Sequence, residues 1–175
     1  MKRATGSILI VDDNPNEQLL IKEAFRELKV TDAIHIADDG EEAIAYLKGQ
    51  GKYCDRKKFQ FPTFLLTDLN MPKINGFELL SFMKRSHFII IPTIVWTTSN
   101  DLDDIQHSYL LGANAFHTKP TQKAGFLELL KKIYEYWAAV QLPDIDEDGN
   151  LKQTERSGTV GLFIPPTSGE REPPG

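Results

Sequence analysis

The chain has 175 residues, which suits one domain, and 41% of them are hydrophobic, which is enough to build a buried core. Its formal net charge of −5 argues against a general nucleic-acid-binding protein and against a protein that binds anionic membranes. Cys54 is the only cysteine, which excludes a disulfide framework and a cysteine-based zinc site, and the lack of an apolar leader or of any long apolar run predicts a soluble, cytoplasmic protein.

Apolar strand patterns alternate with amphipathic helix patterns along most of the chain. Strands are predicted at 7–12, 33–36, 63–67, 92–97 and 115–118, numbered β1 to β5. A helix is predicted after each strand, at about 15–28, 40–48, 76–86, 102–111 and 121–140, numbered α1 to α5. Successive βα units of this kind predict an α/β fold, a doubly wound parallel sheet with helices on both faces.

The first helix, α1, carries a start signal. Asn14 is the expected N-cap and Pro15 the first helical residue. Glu17 follows three residues after the cap, which is the spacing of a capping box. We therefore expect the Glu17 side chain to serve the helix terminus.

Two segments fall outside the βα pattern. The loop at 49–62 is basic, and we favour a solvated loop over a partner contact there. From 143 the chain is first acidic and then rich in proline and glycine, which is typical of a largely disordered tail. We therefore expect an N-terminal extension at 1–6, a folded domain at 7–142 and a tail at 143–175, in which the apolar residues 160–164 leave a docking strand possible.

Polar side chains follow several strands at the point where each strand ends. These residues are Asp12 and Asp13 at the end of β1, Asp68 after β3, Thr97 and Thr98 at the end of β4, and Lys119 after β5. The carboxyl ends of parallel strands share one edge of the sheet, where ligands bind in α/β proteins. Three carboxylates repel one another there unless a cation joins them, and hard oxygen ligands favour Mg²⁺ over zinc. A carboxylate nucleophile, a metal, an ammonium and a hydroxyl together indicate phosphoryl transfer.

These motifs, in this order, resemble those of the receiver domain of two-component response regulators, the CheY-like family. The resemblance covers about 7–140 and rests on Asp12-Asp13, on Asp-Leu-Asn-Met-Pro at 68–72 with Gly76, on Thr97 and on Lys119-Pro120. It implies a flavodoxin-like sheet of five strands in the order 2-1-3-4-5. It also implies a function, namely a single-domain response regulator in a phosphorelay, without an output domain.

The resemblance implies a role for each carboxylate of the site. Asp68 would accept a phosphoryl group from a histidine kinase. Asp13, Asp68 and the backbone carbonyl of Asn70 would hold Mg²⁺, and Asp12 would assist through water. The protein would then be a phosphoacceptor with slow self-dephosphorylation rather than an enzyme.

The resemblance also assigns the residues that respond to the phosphoryl group. Thr97 and Lys119 would bind its oxygens, and Phe116 matches the aromatic switch position of the family. Thr98 would control the access of water to the phosphoaspartate. The Lys119-Pro120 bond matches a cis peptide of the family.

A narrower resemblance connects the chain to the small regulators that partner bacterial phytochromes. It rests on the long loop before β3, on residues 107–109 with 112–114, and on Tyr136-Trp137 followed by Leu142-Pro143. It implies a light-sensing histidine kinase as the partner.

The last helix, α5, carries a wide apolar arc. Its members are Phe126, Leu130, Ile133, Trp137 and Val140, flanked by Leu127, Tyr134, Leu129 and Tyr136. The arc spans roughly 180°, wider than the ~100° that packs one face. We interpret the excess as a homodimer contact through α4, β5 and α5, as in many receivers. The alternatives are a cover formed by residues 162–164 of the tail and a plain rim of the core.

Two other functions would fit parts of this pattern. A metal-dependent aspartyl-phosphate phosphohydrolase on a similar sheet would carry Asp-x-Asp after β1, whereas this chain has Asp12-Asp13-Asn14 and places its nucleophile after β3. A degenerate receiver kept only for binding is disfavoured by the complete acidic set. We therefore favour a phosphorylation-controlled interaction module that binds neither nucleic acid nor membrane.

Overall fold

A computed structural model of the chain describes residues 6–146 and 149–152. Five parallel strands form one sheet in the order β2-β1-β3-β4-β5. Their bounds are Ser7–Val11, Ala33–Ala37, Phe64–Thr67, Thr93–Thr97 and Ala115–Thr118. The predicted fold class and strand order are therefore confirmed, because a switch in strand order between β1 and β3 is the doubly wound flavodoxin-like arrangement.

The helices lie close to their predicted positions. They run over Pro15–Glu27, Gly40–Lys48, Gly76–Arg85, Leu102–Leu110 and Lys123–Ala139. Two short 3₁₀ helices, Gly51–Tyr53 and His87–Ile90, were not predicted. Such short turns lack the repeated apolar spacing by which longer helices are found. In the described part of the chain, none of the helices could cross a lipid bilayer.

The core is divided by the sheet into two layers. Along β1, Leu9 and Val11 pack in a cluster with Leu79 of α3, whereas Ile8 and Ile10 belong to a second cluster. That second cluster contains buried side chains of α1 and α5: Ile21, Ala24, Phe25, Phe126, Leu130 and Ile133. Successive residues of a strand face opposite sides, so a central strand covered on both faces is apolar throughout.

The predicted capping box at the start of α1 is wrong. The Asn14 side chain accepts a hydrogen bond from the backbone N–H of Asn16, at 3.0 Å, and not from that of Glu17. A capping box does form at the start of α3, where Asn75 and Glu78 each bond the other's backbone N–H. The Glu17 side chain is thus free to serve another purpose.

The basic loop at 49–62 is folded against α2, so a purely solvated loop is not what the structure contains. The Arg56 guanidinium donates to the carbonyl oxygens of Tyr46 and Leu47, in the last turn of α2, and lies 4.2 Å from the ring centroid of Phe61. Lys52 pairs with Glu42 of α2. A cation at the carboxyl end of a helix satisfies carbonyls that have no partner in the helix.

The first part of the predicted tail packs near Phe61 and Phe88. Ile145 and Leu151 form an antiparallel bridge, and Gly149 between them has a φ of 84°. A Cβ on Gly149 would lie 2.8 Å from the Phe61 ring and 3.1 Å from that of Phe88, so only glycine fits. The apolar segment 160–164 lies outside the described residues.

Candidate functional site

Four charged side chains meet at the carboxyl edge of the sheet. Lys119 Nζ lies 2.9 Å from Asp12 Oδ2 and 2.6 Å from Asp68 Oδ2. It also lies 2.5 Å from Glu17 Oε2, which reaches the site from the first turn of α1. Asp12, Asp68 and Lys119 are buried, whereas the Glu17 side chain is 26% exposed. The chain thus surrounds one ammonium group with three carboxylates from three different elements.

The main chain fixes the orientation of Asp68. Its Oδ1 accepts hydrogen bonds from the backbone N–H groups of Leu69, at 2.6 Å, and Asn70, at 3.2 Å. This leaves Oδ2 directed at Lys119. The side chain keeps 11% of its surface exposed, so the carboxylate is oriented and still within reach of solvent.

Burial and ion pairing compete in this site. Burial raises the pKa of Asp12 to about 6, although the charge of Lys119 and its hydrogen bond oppose that rise. For Lys119, burial lowers the pKa, but the close contacts with Asp68, Glu17 and Asp12 outweigh it, so its pKa is raised above the usual value. Lys119 therefore stays protonated, and the three carboxylates leave a net negative charge that a cation would relieve.

Asp12, Glu17 and Asp68 could hold a metal ion. Each offers one carboxylate oxygen, and these oxygens lie within 4.8 Å of one another. Hard oxygen donors with room for water suit Mg²⁺ or Mn²⁺, so this donor set fits the predicted magnesium ion.

The predicted ligand Asp13 is not one of these three residues, and its side chain is exposed. The backbone carbonyl of Asn70 stays a predicted ligand. Glu17, by contrast, was not predicted as a site residue. Its position offered one signal: the first turn of a helix that follows β1 begins at the edge where Asp12 lies.

Thr97 and Thr98 differ in burial at the end of β4. Thr97 is buried, and its hydroxyl accepts a long hydrogen bond, 3.4 Å, from the backbone N–H of Ser99. Its carbonyl accepts from the backbone N–H of Lys119 at 2.7 Å. Thr98 is exposed.

Phe116 lies in a small third cluster between the sheet and the helices α3 and α4. It is partly buried against buried residues of that cluster, together with Phe77 and Leu111. The bond between Lys119 and Pro120 is trans, so the predicted cis peptide is wrong. For a bond to proline the two isomers differ by only about 0.5–1 kcal/mol, so the sequence alone does not determine which one forms.

Comparisons with known proteins point to one family. The family model for the response regulator receiver domain matches residues 8–131. The response regulator Rcp1 of Synechocystis sp. is 33% identical over 138 residues, which cover 78% of this chain and 92% of that protein. A probable methanogenesis regulatory protein, FilR2 of Methanothrix harundinacea, is 36% identical over 74% of this chain and 82% of that protein.

Solved structures give the same result. The phosphorylated cyanobacterial phytochrome response regulator RcpA is 36% identical, with a TM-score of 0.75, over 81% of this chain and all of that one. The Mn²⁺-bound form of Rcp1 is 32% identical, with a TM-score of 0.72, over 79% of this chain and 99% of that one. The bacteriophytochrome response regulator AtBRR is 33% identical, with a TM-score of 0.61, over 75% of this chain and 95% of that one.

Proposed function

This chain belongs to the response regulator receiver domain family, and from that premise we propose that Asp68 is the residue that accepts its phosphoryl group. The family works in two-component signalling. The observation that carries the assignment is the contact of 2.6 Å between Asp68 Oδ2 and Lys119 Nζ at an edge where a metal ion can also be held. In this protein, Asp68 is the residue directly after β3, where a nucleophile of this family is expected.

In the proposed reaction an Asp68 oxygen attacks the phosphorus atom of a phosphohistidine. The new O–P bond forms as the P–N bond breaks, and the electron pair of that bond leaves with the imidazole. Lys119 and the Thr97 hydroxyl bind the oxygens of the transferred group. Bound Mg²⁺ would neutralise the charge that develops on those oxygens.

The metal is held, in this proposal, chiefly by Asp12 and Asp68, with Glu17 as a further donor. The fit rests on their carboxylate oxygens, which lie within 4.8 Å of one another. Asp13 and the carbonyl of Asn70 remain proposed ligands on the strength of the family resemblance. The proposal is supported by the Mn²⁺-bound form of Rcp1, a related protein.

The direct test is the mass of the intact protein after incubation with acetyl phosphate and MgCl₂. We expect the addition of one phosphoryl group. The addition should be absent in Asp68→Asn and after chelation of the metal. A single phosphoryl group on the Asp68→Asn protein would overturn the assignment.

The proposed partner is a cytoplasmic histidine kinase of the bacteriophytochrome type. Support comes from the likeness to RcpA and AtBRR, whose names connect them to phytochromes. A panel of the host's histidine kinases, each phosphorylated and mixed with this protein, would test it. Fast transfer from a light-sensing kinase is expected, and fast transfer from a different class alone would contradict the proposal.

We propose a signal carrier rather than a phosphohydrolase. A hydrolase would turn over many phosphoester molecules, whereas a phosphoacceptor gains one phosphoryl group and loses it slowly. The absence of Asp-x-Asp after β1 supports the first reading, because this chain has Asp12-Asp13-Asn14 there. Release of phosphate from small phosphoesters, measured over many turnovers, distinguishes the two.

The proposed switch links the site to α4 and β5. The phosphoryl group would draw the Thr97 hydroxyl toward it, and Phe116 would move inward from its partly buried position. The charge change is local, and the small cluster around Phe116 is the element that it biases.

The proposed self-contact is a homodimer through α4, β5 and α5. Leu127 and Leu129 of α5 pack against the core, so the wide arc of α5 leaves only Tyr136 largely exposed. The two most exposed large hydrophobic side chains of the described residues lie in α4 instead, where Leu102 is 79% and Leu110 is 66% exposed. These α4 side chains support the dimer proposal.

A further inference from the structure

Glu17 is the most weakly held of the three carboxylates around Lys119. Asp12 is almost completely buried, and its Oδ1 accepts the backbone N–H of Asn14 at 2.9 Å. Asp68 is fixed by two backbone N–H groups. The Glu17 side chain is 26% exposed, and beyond Lys119 its polar contact is a long one, 3.4 Å from Oε1 to Asn14 Nδ2.

The ammonium group of Lys119 is crowded by carboxylates: its hydrogen bonds go to Asp12 and Asp68, and Glu17 Oε2 pairs with it at 2.5 Å without hydrogen-bond geometry. A lysine ammonium carries three N–H donors, and three carboxylates lie within 2.9 Å of Nζ. A phosphoryl oxygen can come within bonding distance of Nζ only if one of these carboxylates gives up its place beside it. Asp68 carries the phosphoryl group itself and Asp12 is held by the main chain, which leaves Glu17 as the group that can move away.

We propose that Glu17 is a positioning residue. It holds Lys119 in the unphosphorylated site and moves away from it when the phosphoryl group binds. This inference rests on the proposed role of Asp68 as phosphoacceptor. Glu17 then has two opposite effects. Its charge favours the binding of a divalent cation, but its hold on Lys119 competes with the oxygens of the incoming phosphoryl group.

The test is the variant Glu17→Gln, which keeps the shape of the side chain and removes its charge. Acetyl phosphate is the donor: an Asp68 oxygen forms the new bond to phosphorus, the bond from phosphorus to the acetyl oxygen breaks, and acetate leaves with the electron pair. The rate is measured at saturating MgCl₂ by intact mass. Free Mn²⁺ is measured separately by electron paramagnetic resonance in the absence of any donor.

We expect the two measurements to change in opposite directions. Mn²⁺ should bind the Glu17→Gln protein several-fold more weakly, since one of three acidic donors is lost. The rate of phosphorylation at saturating Mg²⁺ should rise by about threefold to tenfold, since the carboxylate charge that competes with the phosphoryl oxygens for Lys119 has been removed. Glu23→Gln, on the same helix but outside the site, is the matched control and should match wild type in both.

Three results would overturn the inference. Weaker Mn²⁺ binding together with slower phosphorylation would make Glu17 a plain metal ligand. No change in either measurement, in a variant whose thermal unfolding matches wild type, would make its contact with Lys119 incidental. A wild-type protein that takes up no phosphoryl group would overturn the proposed function itself, and the Mn²⁺ titration would still show whether the acidic group binds metal.

Discussion

Gly76 and Asp68 are in direct main-chain contact. A Cβ built on Gly76, the first residue of α3, would lie 2.2 Å from the carbonyl oxygen of Asp68 and 2.7 Å from the Cα of Leu69. The backbone N–H of Gly76 also donates to the carbonyl of Leu69 at 3.0 Å. Because both obstructing atoms belong to the backbone, no side-chain rotation can make room. The start of α3 therefore sets the position of the phosphoacceptor loop.

We accordingly expect Gly76→Ala to be costly. It should lower the free energy of unfolding by about 3 kcal/mol, at the upper end of overpacking effects, and should slow phosphorylation because the Asp68 loop must shift. Chemical denaturation and intact mass measure the two effects. Gly125→Ala in α5 is the control, where a Cβ would meet only the Pro120 ring, at 3.3 Å. A Gly76→Ala protein as stable as this control would contradict the contact.

Because the pKa of Asp12 is raised, the stabilisation of the folded state by a bound cation should depend on pH. Folding raises this pKa from 3.8 to about 6, so the folded state holds the proton more tightly. The stability contributed by protonated Asp12, on the order of 3 kcal/mol at most, is present below about pH 4 and is lost as the pH rises through 6. A divalent cation competes with that proton and replaces its effect at higher pH.

MgCl₂ should therefore raise the unfolding temperature more at about pH 7.5 than at about pH 5. Thermal unfolding at the two pH values, with and without MgCl₂, gives the comparison. In Asp12→Asn the dependence on pH should largely disappear, since no proton is exchanged at that position. Equal stabilisation by MgCl₂ of the wild-type protein at both pH values would show that Asp12 does not bind the cation.

The fold could be predicted because it depends on patterns that persist over many residues. A central strand such as β1 is apolar on both faces, and α5 repeats its apolar spacing over several turns. The edge of the sheet on which Asp68 and Lys119 lie follows from strand direction alone. The strand order thus brings Asp68 and Lys119 together, although they are 51 positions apart in the sequence.

Side-chain direction at that edge could not be predicted in the same way. Asp12 and Asp13 are adjacent in sequence, yet one is buried beside Lys119 and the other is exposed. Glu17 fits a capping box by spacing, but its carboxylate pairs with Lys119 instead. The ion pair is a long-range contact, and local spacing carries no information about it.

Arg56 shows the same limit, and it yields a prediction about stability. Its guanidinium donates to two carbonyls in the last turn of α2 and stacks on Phe61, so Arg56→Met should cost about 2 kcal/mol of unfolding free energy. Arg56→Lys should retain only part of this free energy, because an ammonium group cannot donate two parallel hydrogen bonds as a planar guanidinium does. Lys57→Met, at an exposed position of the same loop, is the control in denaturation experiments. If Arg56→Met lowers the unfolding free energy no more than Lys57→Met does, the role of Arg56 in capping α2 would be contradicted.

Substitutions of Thr97 and Thr98 should affect different properties: the first should affect signalling, and the second should affect the lifetime of the phosphoryl group. Thr97→Ala should still accept a phosphoryl group, but phosphorylation should no longer change partner affinity, because the hydroxyl that draws β4 toward the phosphoryl group is missing. Thr98→Ala should lose its phosphoryl group faster than wild type, since we propose that the exposed Thr98 side chain limits the access of water to the phosphoaspartate. Phosphoprotein decay and kinase binding with and without acetyl phosphate measure these effects. A Thr97→Ala protein that responds like wild type would contradict the coupling.

The α4 surface gives the last prediction. Leu110 is 66% exposed and contributes to the α4 side of the proposed dimer, so Leu110→Glu should weaken self-association by placing a charge on each copy of a symmetric contact. Sedimentation velocity, with and without acetyl phosphate, measures it. The control is Leu19→Glu, which makes the same change at a 57% exposed position of α1.

The same sedimentation experiment separates the dimer from a cover formed by the chain itself. A chain shortened to end at Lys152 keeps the Ile145–Leu151 bridge and the contact of Gly149 with Phe61, but lacks the apolar residues 160–164. If a second copy covers α4, the shortened chain dimerises as the full chain does, and Leu110→Glu disrupts both. If the tail covers α4, the full chain is monomeric and only the shortened one dimerises. A monomer in every sample would show that the exposed leucines of α4 do not form a self-contact, because a symmetric apolar interface should strengthen once a competing cover is removed.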